Sequence, residues 1–187
     1  MDFVAELKNY TPFNAQEEED KGVILNFIYQ NKDTVLYRKN KIAHITSSGF
    51  ILNPSLDKVL LIHHNIRDAW AWTGGHADGD SNLLGVALKE AREETGVAAF
   101  TPLSPKIASV DILPVYGHQK NGSYVSAHLH LSVAYLLICA ESEPLKTKPD
   151  ENSGVKWYGT NYFTNQNFDP HDVYLYNKLI QKAKLLL

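Results

Sequence analysis

Apolar and polar positions alternate along this chain in two rhythms. Residues 2 to 31 carry the helical one, and the second helix of that stretch starts at Asn14 with Glu17 three residues on as a capping-box partner. Glu17, Glu18, Glu19 and Asp20 crowd its first turn, where the helix dipole favours negative charge, and read as a solvated helix start. Ile24, Phe27 and Ile28 form an apolar stripe expected to dock this segment on the rest of the fold or on a second subunit. From residue 42 the runs shorten to β type: Ile42 to Asn53, Lys58 to His64 and Ala69 to Thr73, with Asn53-Pro54 and Asp57 marking the first turn. A Gly-rich loop follows. Helical spacing returns over Asn82 to Thr95, with Leu84, Ala87, Leu88 and Ala91 as the apolar face and Gly96 as the stop. Two longer β segments, about 106 to 117 and 123 to 139, are expected to join in a hairpin at Asn121-Gly122. A short strand, Val155 to Tyr158, and a helix from Asp169 to Leu187 close the chain. This order predicts an α/β fold, a mixed sheet with helices on both faces, preceded by an N-terminal helical extension over residues 1–41.

Length and composition narrow the function classes. The 187 residues suit one domain with a terminal extension, and 44% hydrophobic with 21% charged residues is the composition of a packed globular protein. A formal net charge of -3 supplies no basic field for a nucleic-acid backbone or an anionic membrane. Any phosphate ligand must therefore be met locally, by a metal or a few cations. The single cysteine, Cys139, sits in an apolar run and reads as a buried thiol, so neither an intrachain disulfide nor a cysteine-based zinc site is expected. The opening residues lack a basic start followed by an apolar stretch, and no apolar run reaches membrane-spanning length, which makes the cytoplasm the default location.

The chemistry concentrates on the helix ending at Gly96. At 3.6 residues per turn Glu94 projects roughly 40° to one side of Glu90 and Glu93 roughly 60° to the other, so three carboxylates share one face. A salt-bridged surface would explain most Glu-rich helices, but within this one only Glu93 has a cationic neighbour, Lys89. Like charges four apart cost about 0.2–0.5 kcal/mol, and acids in a last turn oppose the dipole by about 0.3–1 kcal/mol each. A divalent cation reverses both signs. Oxygen-only ligands select a hard ion, magnesium first and manganese second.

The stretch from Trp72 to Val97 is similar to the signature of the Nudix hydrolases, G-x5-E-x7-R-E-U-x-E-E-x-G-U with U aliphatic. Gly75, Glu90, Glu93, Glu94, Gly96 and Val97 match in register, and Ala91 takes the first aliphatic place. Ser81 stands where the family has its first glutamate and Lys89 where it has arginine; Asp78 and Asp80 are the nearby loop acids able to compensate. Lysine keeps the charge but loses the bidentate fork. The runs Ala43 to Leu52, Trp70 to Trp72 and His128 to His130 also resemble a bacterial branch of the family, so that roughly residues 42 to 160 are covered. The resemblance implies an α/β/α sandwich, a Nudix hydrolase domain over residues 42–187, and attack of a metal-activated water on a nucleoside diphosphate joined to a group X. It further implies that the carbonyl of Gly74 joins Glu90, Glu93 and Glu94 around the metal. Glu94 or Glu151, the latter in the acidic loop 150–152, is the expected base, with Glu93 beside them.

The remaining polar residues carry weaker signals. His128 and His130 point to the same face of a strand at a zinc-like spacing, but without an evident third ligand they read as packed or substrate-contacting. His76 follows Gly75 directly and, with Gly75 itself, is placed to touch phosphate; His63 and His64 flank the same loop. Arg67 is the nearest cation before it and a candidate phosphate contact. Trp70 and Trp72 end a strand and read as core rather than as base-stacking rings. No P-loop and no nucleophile elbow is present. The expected activity is magnesium-dependent cleavage of a diphosphate in a small nucleotide compound. The alternative is a nucleotide-sensing domain with weakened catalysis, and a homodimer through the N-terminal helices is a further expectation.

Overall fold

The computed structural model describes residues 3–120 and 122–186. Helices α1 (Phe3–Asn9) and α2 (Ala15–Gln30) come first, followed by strands β1 (Ala43–Leu52), β2 (Lys58–His64), β3 (Ala69–Ala71) and β4 (Thr73–His76). Helix α3 (Leu83–Thr95) leads to β5 (Thr101–Pro102), β6 (Ser109–Val115), β7 (His118–Lys120), β8 (Ser123–Val125), β9 (His128–Ile138), β10 (Asn152–Gly159) and α4 (Pro170–Lys184). The main sheet runs β10-β2-β1-β9-β5, with β3 also on β2, β4 on β1 and β6 on β9. Among the described residues only β1 and β9 pair in parallel, from Ala43↔Leu129 to Leu52↔Ile138; the other pairs are antiparallel. The expected mixed sheet is present.

Strand alternation divides the core in two. One face turns Ile45, Ile51, Val133, Tyr135 and Leu137 against Phe3, Leu7, Ile24 and Ile28 of the first two helices and Ala87 and Ala91 of α3. The other turns Phe50, Leu52, Val59, Leu61 and Leu136 against Leu175, Leu179 and Ala183 of α4. This is an α/β/α sandwich, and the Ile24–Ile28 stripe is docked on the chain's own sheet. His44, Thr46 and Ser48 of β1, on the same side of the strand as Phe50 and Leu52, line a cleft that Leu175 and Tyr176 of α4 border and that Glu94 of α3 reaches.

Both caps expected of the helices form. Asn14 accepts a hydrogen bond from the Glu17 N–H at 3.0 Å, and Gly96 stops α3 in the left-handed region at φ 74°, a conformation that favours glycine. Four expectations need correction. Glu17 is not solvated but fully buried, because two lysines of α4 reach it. The Gly-rich loop begins as β4, whose residues 73–76 pair with Gly49 to Thr46 of β1. The inner face of α3 is led by Leu83, Val86, Ala87 and Ala91, with Leu84 and Leu88 only partly buried at its margin, since the face is rotated far enough to take in Glu94. The two long β segments are interrupted at about Tyr116 and Ser126, and the hairpin, with Lys120 opposite Ser123, stands apart as a two-stranded ribbon. Asn121 of that turn, Asp2 of the first helical stretch and Leu187 of the last lie outside the described residues.

Candidate active site

Helix α3 lies across β1 and β4, and its last turn brings Glu94 under the Gly74–Gly75 stretch. The Glu94 carboxylate is 3% exposed and accepts the Gly74 N–H at 2.9 Å. Burial pushes its pKa up to about 8, against the lowering effect of that bond, and the charges of Glu90 and Glu151 push the same way. Among the described residues no cation lies within ion-pair distance of it. Glu90 is half-buried and raised for the same first reason, burial, with Lys89 Nζ at 3.6 Å from Oε1 opposing. Glu93 is the exposed member. It meets Lys148 at 3.0 Å and Lys89 at 3.7 Å, and Lys148 first among them holds it below the usual carboxylate range.

The expectation that within the helix only Glu93 has a cationic neighbour is corrected by Lys89, and a second cation comes from outside the helix. Lys89 also reaches the adjacent Glu90, and Lys148 arrives from the loop before β10, bridging Glu93 to Glu151 at 3.1 Å. That loop is fastened to the end of α3: Asn152 Nδ2 donates to Glu94 O at 2.9 Å and the Lys146 N–H to Thr95 O at 2.7 Å, filling carbonyls the helix leaves open. Glu151 therefore stands beside the glutamate face, as expected, but already paired.

A cleft of about 1480 Å³ opens at this end of the sheet, lined by Gly74, Gly75, His76, Glu94, Arg67, His128 and His130 among others. Arg67 is held by Asp172 of α4 at 2.8 Å. His64 Nδ1 accepts the N–H groups of Ile66 and Arg67, which makes it a turn-forming residue. Trp72 is buried against Phe50 and Tyr176, as the core reading has it, whereas Trp70 is only partly buried, packing on Tyr158 and His63 at the cleft. Asp78 is engaged in a bidentate pair with Arg38 and Asp80 caps the Asn82 N–H at 2.8 Å, so both loop acids near Ser81 are committed to structural bonds. Cys139 is buried and free.

The signature of the NUDIX domain matches residues 43–179. The chain belongs to the Nudix family. It is accordingly a hydrolase acting on pyrophosphate bonds, in a family that generally uses divalent metal ions and small nucleotide-linked substrates. The match reaches into α4, beyond the stretch legible by eye. A Nudix-family hydrolase from Clostridium perfringens superposes with a TM-score of 0.52 at 22% identity, covering 77% of this chain and 98% of that one. A MutT protein from Methanosarcina mazei Go1 gives 0.51 at 18% identity over 78% and 96%. Both establish the likeness of fold. No curated protein matches the sequence.

The Nudix helix and the glycines before it are fitted closely. A Cβ on Gly75 would lie 2.5 Å from Glu90 Cδ and 2.7 Å from its Oε1. Because the obstructed atoms end a flexible side chain, Gly75→Ala is expected to leave thermal unfolding nearly unchanged while turning the Glu90 carboxylate aside. Divalent-ion affinity, read by calorimetry, should fall about tenfold, equivalent to about 1.4 kcal/mol.

Two groups escaped the sequence reading. His44 lies opposite His130 on the parallel β1–β9 pair, and the alternation His44, Thr46, Ser48 on an otherwise apolar buried strand was its signal. Lys148 had none, since its partners are 55 residues away in the chain and three away.

Proposed function

We propose that this Nudix chain is a magnesium-dependent hydrolase that cleaves the diphosphate of a nucleoside diphosphate joined to a group X, with manganese as the substitute ion. The observation that carries this reading is Glu94, a buried carboxylate with a raised pKa and no cation to meet it. Ionised carboxylates avoid such surroundings unless paired, and a divalent ion is the missing partner. Glu90, Glu93 and Glu94 offer oxygen donors suited to a hard cation. A strand residue's N–H and C=O leave on the same edge, so the Gly74 carbonyl faces the helix as its N–H does, and it joins the donor set.

Held by Glu90, Glu93, Glu94 and the Gly74 carbonyl, magnesium would supply neutralisation of diphosphate charge and polarisation of a water. Glu94, which opens to the cleft, is assigned the water's proton ahead of Glu151, which Lys148 holds. Glu93, through Lys148, positions the Glu151 loop on the helix end. Arg67, the Gly75–His76 backbone, His128 and His130 line the space for phosphate and X, and the cleft has room for a nucleotide-sized compound. Residues 1–41 are an extension whose helices belong to the same core as the Nudix domain of 42–187. The second reading, a nucleotide-binding domain without turnover, rests on Ser81 and on Asp78 being engaged by Arg38.

A panel of ADP-ribose, nucleotide sugars, dinucleoside polyphosphates and oxidised nucleoside triphosphates, incubated with magnesium and followed by mass spectrometry, separates the two. At least one compound should release a monophosphate only when magnesium is present. Calorimetric binding with no product from any compound would replace the hydrolase by the binding domain.

A further inference from the structure

Four histidines from three strands meet in the same cleft that Glu94 lines. His44 comes from β1, His76 from the end of β4, and His128 and His130 from β9; one ring nitrogen of each lies within 4.8 Å of those of the others. Parallel register sets His44 beside His130, and the two-residue period of β9 brings His128 to the same face. Ring centroids are 4.9 Å apart for His44 and His76, 5.0 Å for His44 and His128, and 4.9 Å for His76 and His130.

Hydrogen bonds fix which nitrogens point inward. His44 Nδ1 is 2.9 Å from Asn40 O, and His128 Nδ1 is 2.8 Å from Ser126 O. A carbonyl only accepts, so both Nδ1 atoms carry the proton and both Nε2 atoms present a lone pair. Such an Nδ1–H···O=C bond is the support that metal-ligating histidines generally receive. His44 is 3% exposed, and the Nε2 atoms of His44 and His130 are buried with no hydrogen-bond partner. Buried polar atoms are rarely left unpaired, and here it occurs twice in one cluster.

We infer that His44, His76, His128 and His130 form a binding site for a borderline-soft divalent transition metal, zinc foremost, separate from the carboxylate site that suits magnesium. Neutral imidazole selects zinc over magnesium, and a d¹⁰ ion imposes no geometry of its own on four such ligands. Zinc–nitrogen bonds of about 2.0–2.1 Å place tetrahedral ligands about 3.3 Å apart, so each ring closes inward by about an ångström or less. Arg38, which lines the same cleft, is held in its pair with Asp78. None of its ligands belongs to the glutamate face, although His76, His128 and His130 line the same cleft as the proposed substrate, so zinc binding is read apart from turnover.

The test uses tag-free full-length protein stripped with EDTA, then equilibrated with zinc in excess magnesium, with bound zinc measured by elemental mass spectrometry and folding by circular dichroism. One zinc per chain is expected in the wild type and in Glu90→Gln, with affinity at least tenfold weaker in His128→Gln and in His76→Gln. No zinc retained against magnesium would overturn the site, as would zinc lost in Glu90→Gln but kept in His128→Gln. Should a histidine variant fail to fold, cobalt on the wild-type chain decides: the intense visible absorption of four-coordinate cobalt supports the cluster, and the faint spectrum of octahedral cobalt refutes it.

Discussion

Glu94→Gln should lower turnover at least a hundredfold, about 2.7 kcal/mol of barrier, while the chain stays folded. The substitution keeps the volume and an oxygen able to accept the Gly74 N–H, but removes the charge that a divalent ion needs. Its second signature is in stability without metal. Burial raises the Glu94 carboxyl from its ordinary value to about 8, so the folded state holds a proton that the unfolded chain releases near pH 4.5. Where the native state binds more protons, stability falls as pH rises; the loss begins above about 4.5 and is complete above about 8. At about 1.4 kcal/mol for each pH unit this amounts to about 5 kcal/mol, and the upward direction of Glu90 adds to it. Melting in EDTA should therefore weaken towards alkaline pH in the wild type and much less in Glu94→Gln, and magnesium should raise the wild-type melting temperature more at pH 8 than at pH 5. Equal pH slopes in the two proteins would remove Glu94 from its assigned place.

What could be read in advance was what is local in the chain. The period of α3, its Asn82 and Gly96 ends and the shared face of Glu90, Glu93 and Glu94 follow from 3.6 residues per turn, and the Asn14 cap of α2 and the core position of Trp72 from equally short spacings. What escaped depends on elements distant in sequence. Glycines over 73–76 have weak strand propensity, yet β4 forms because β1 offers an unpaired edge and α3 covers it. His128 and His130 seemed to lack a third ligand because His44 and His76 reach them only through the parallel β1–β9 pair and the β1–β4 pair. The acids at the start of α2 fitted a solvated turn on local grounds, and only the position of α4 makes Glu17 a buried anion.

That anion sets the other large effect: Glu17→Ala is expected to cost about 3–5 kcal/mol, lowering the melting temperature by roughly 10 °C. Glu17 is fully buried, with Lys178 Nζ at 3.1 Å and Lys182 Nζ at 2.6 Å from Oε1, the Phe13 N–H at 2.8 Å from Oε2, and Ser109 Oγ at 3.0 Å. Lys178, itself buried, also pairs with Asp111 of β6, so one network ties α2, β6 and α4 together across the edge of the sandwich. Truncating the carboxylate leaves the half-buried Lys182 without its anion and Lys178 with Asp111 alone, which costs more than the pair contributes. Glu17→Gln should cost less, since an amide oxygen still accepts from Lys182. Burial alone would raise the Glu17 pKa, but Lys182, Tyr10, the Phe13 N–H and Lys178 hold it below the usual carboxylate value. Its contribution is then present above that ordinary value and lost as pH falls through the lower, folded one, opposite in sign to Glu94. The acid limb of the wild-type stability profile should therefore flatten in Glu17→Gln, whereas the alkaline limb belongs to the glutamates of the site. A loss below about 1 kcal/mol in urea unfolding of Glu17→Ala would reduce this network to the worth of surface pairs.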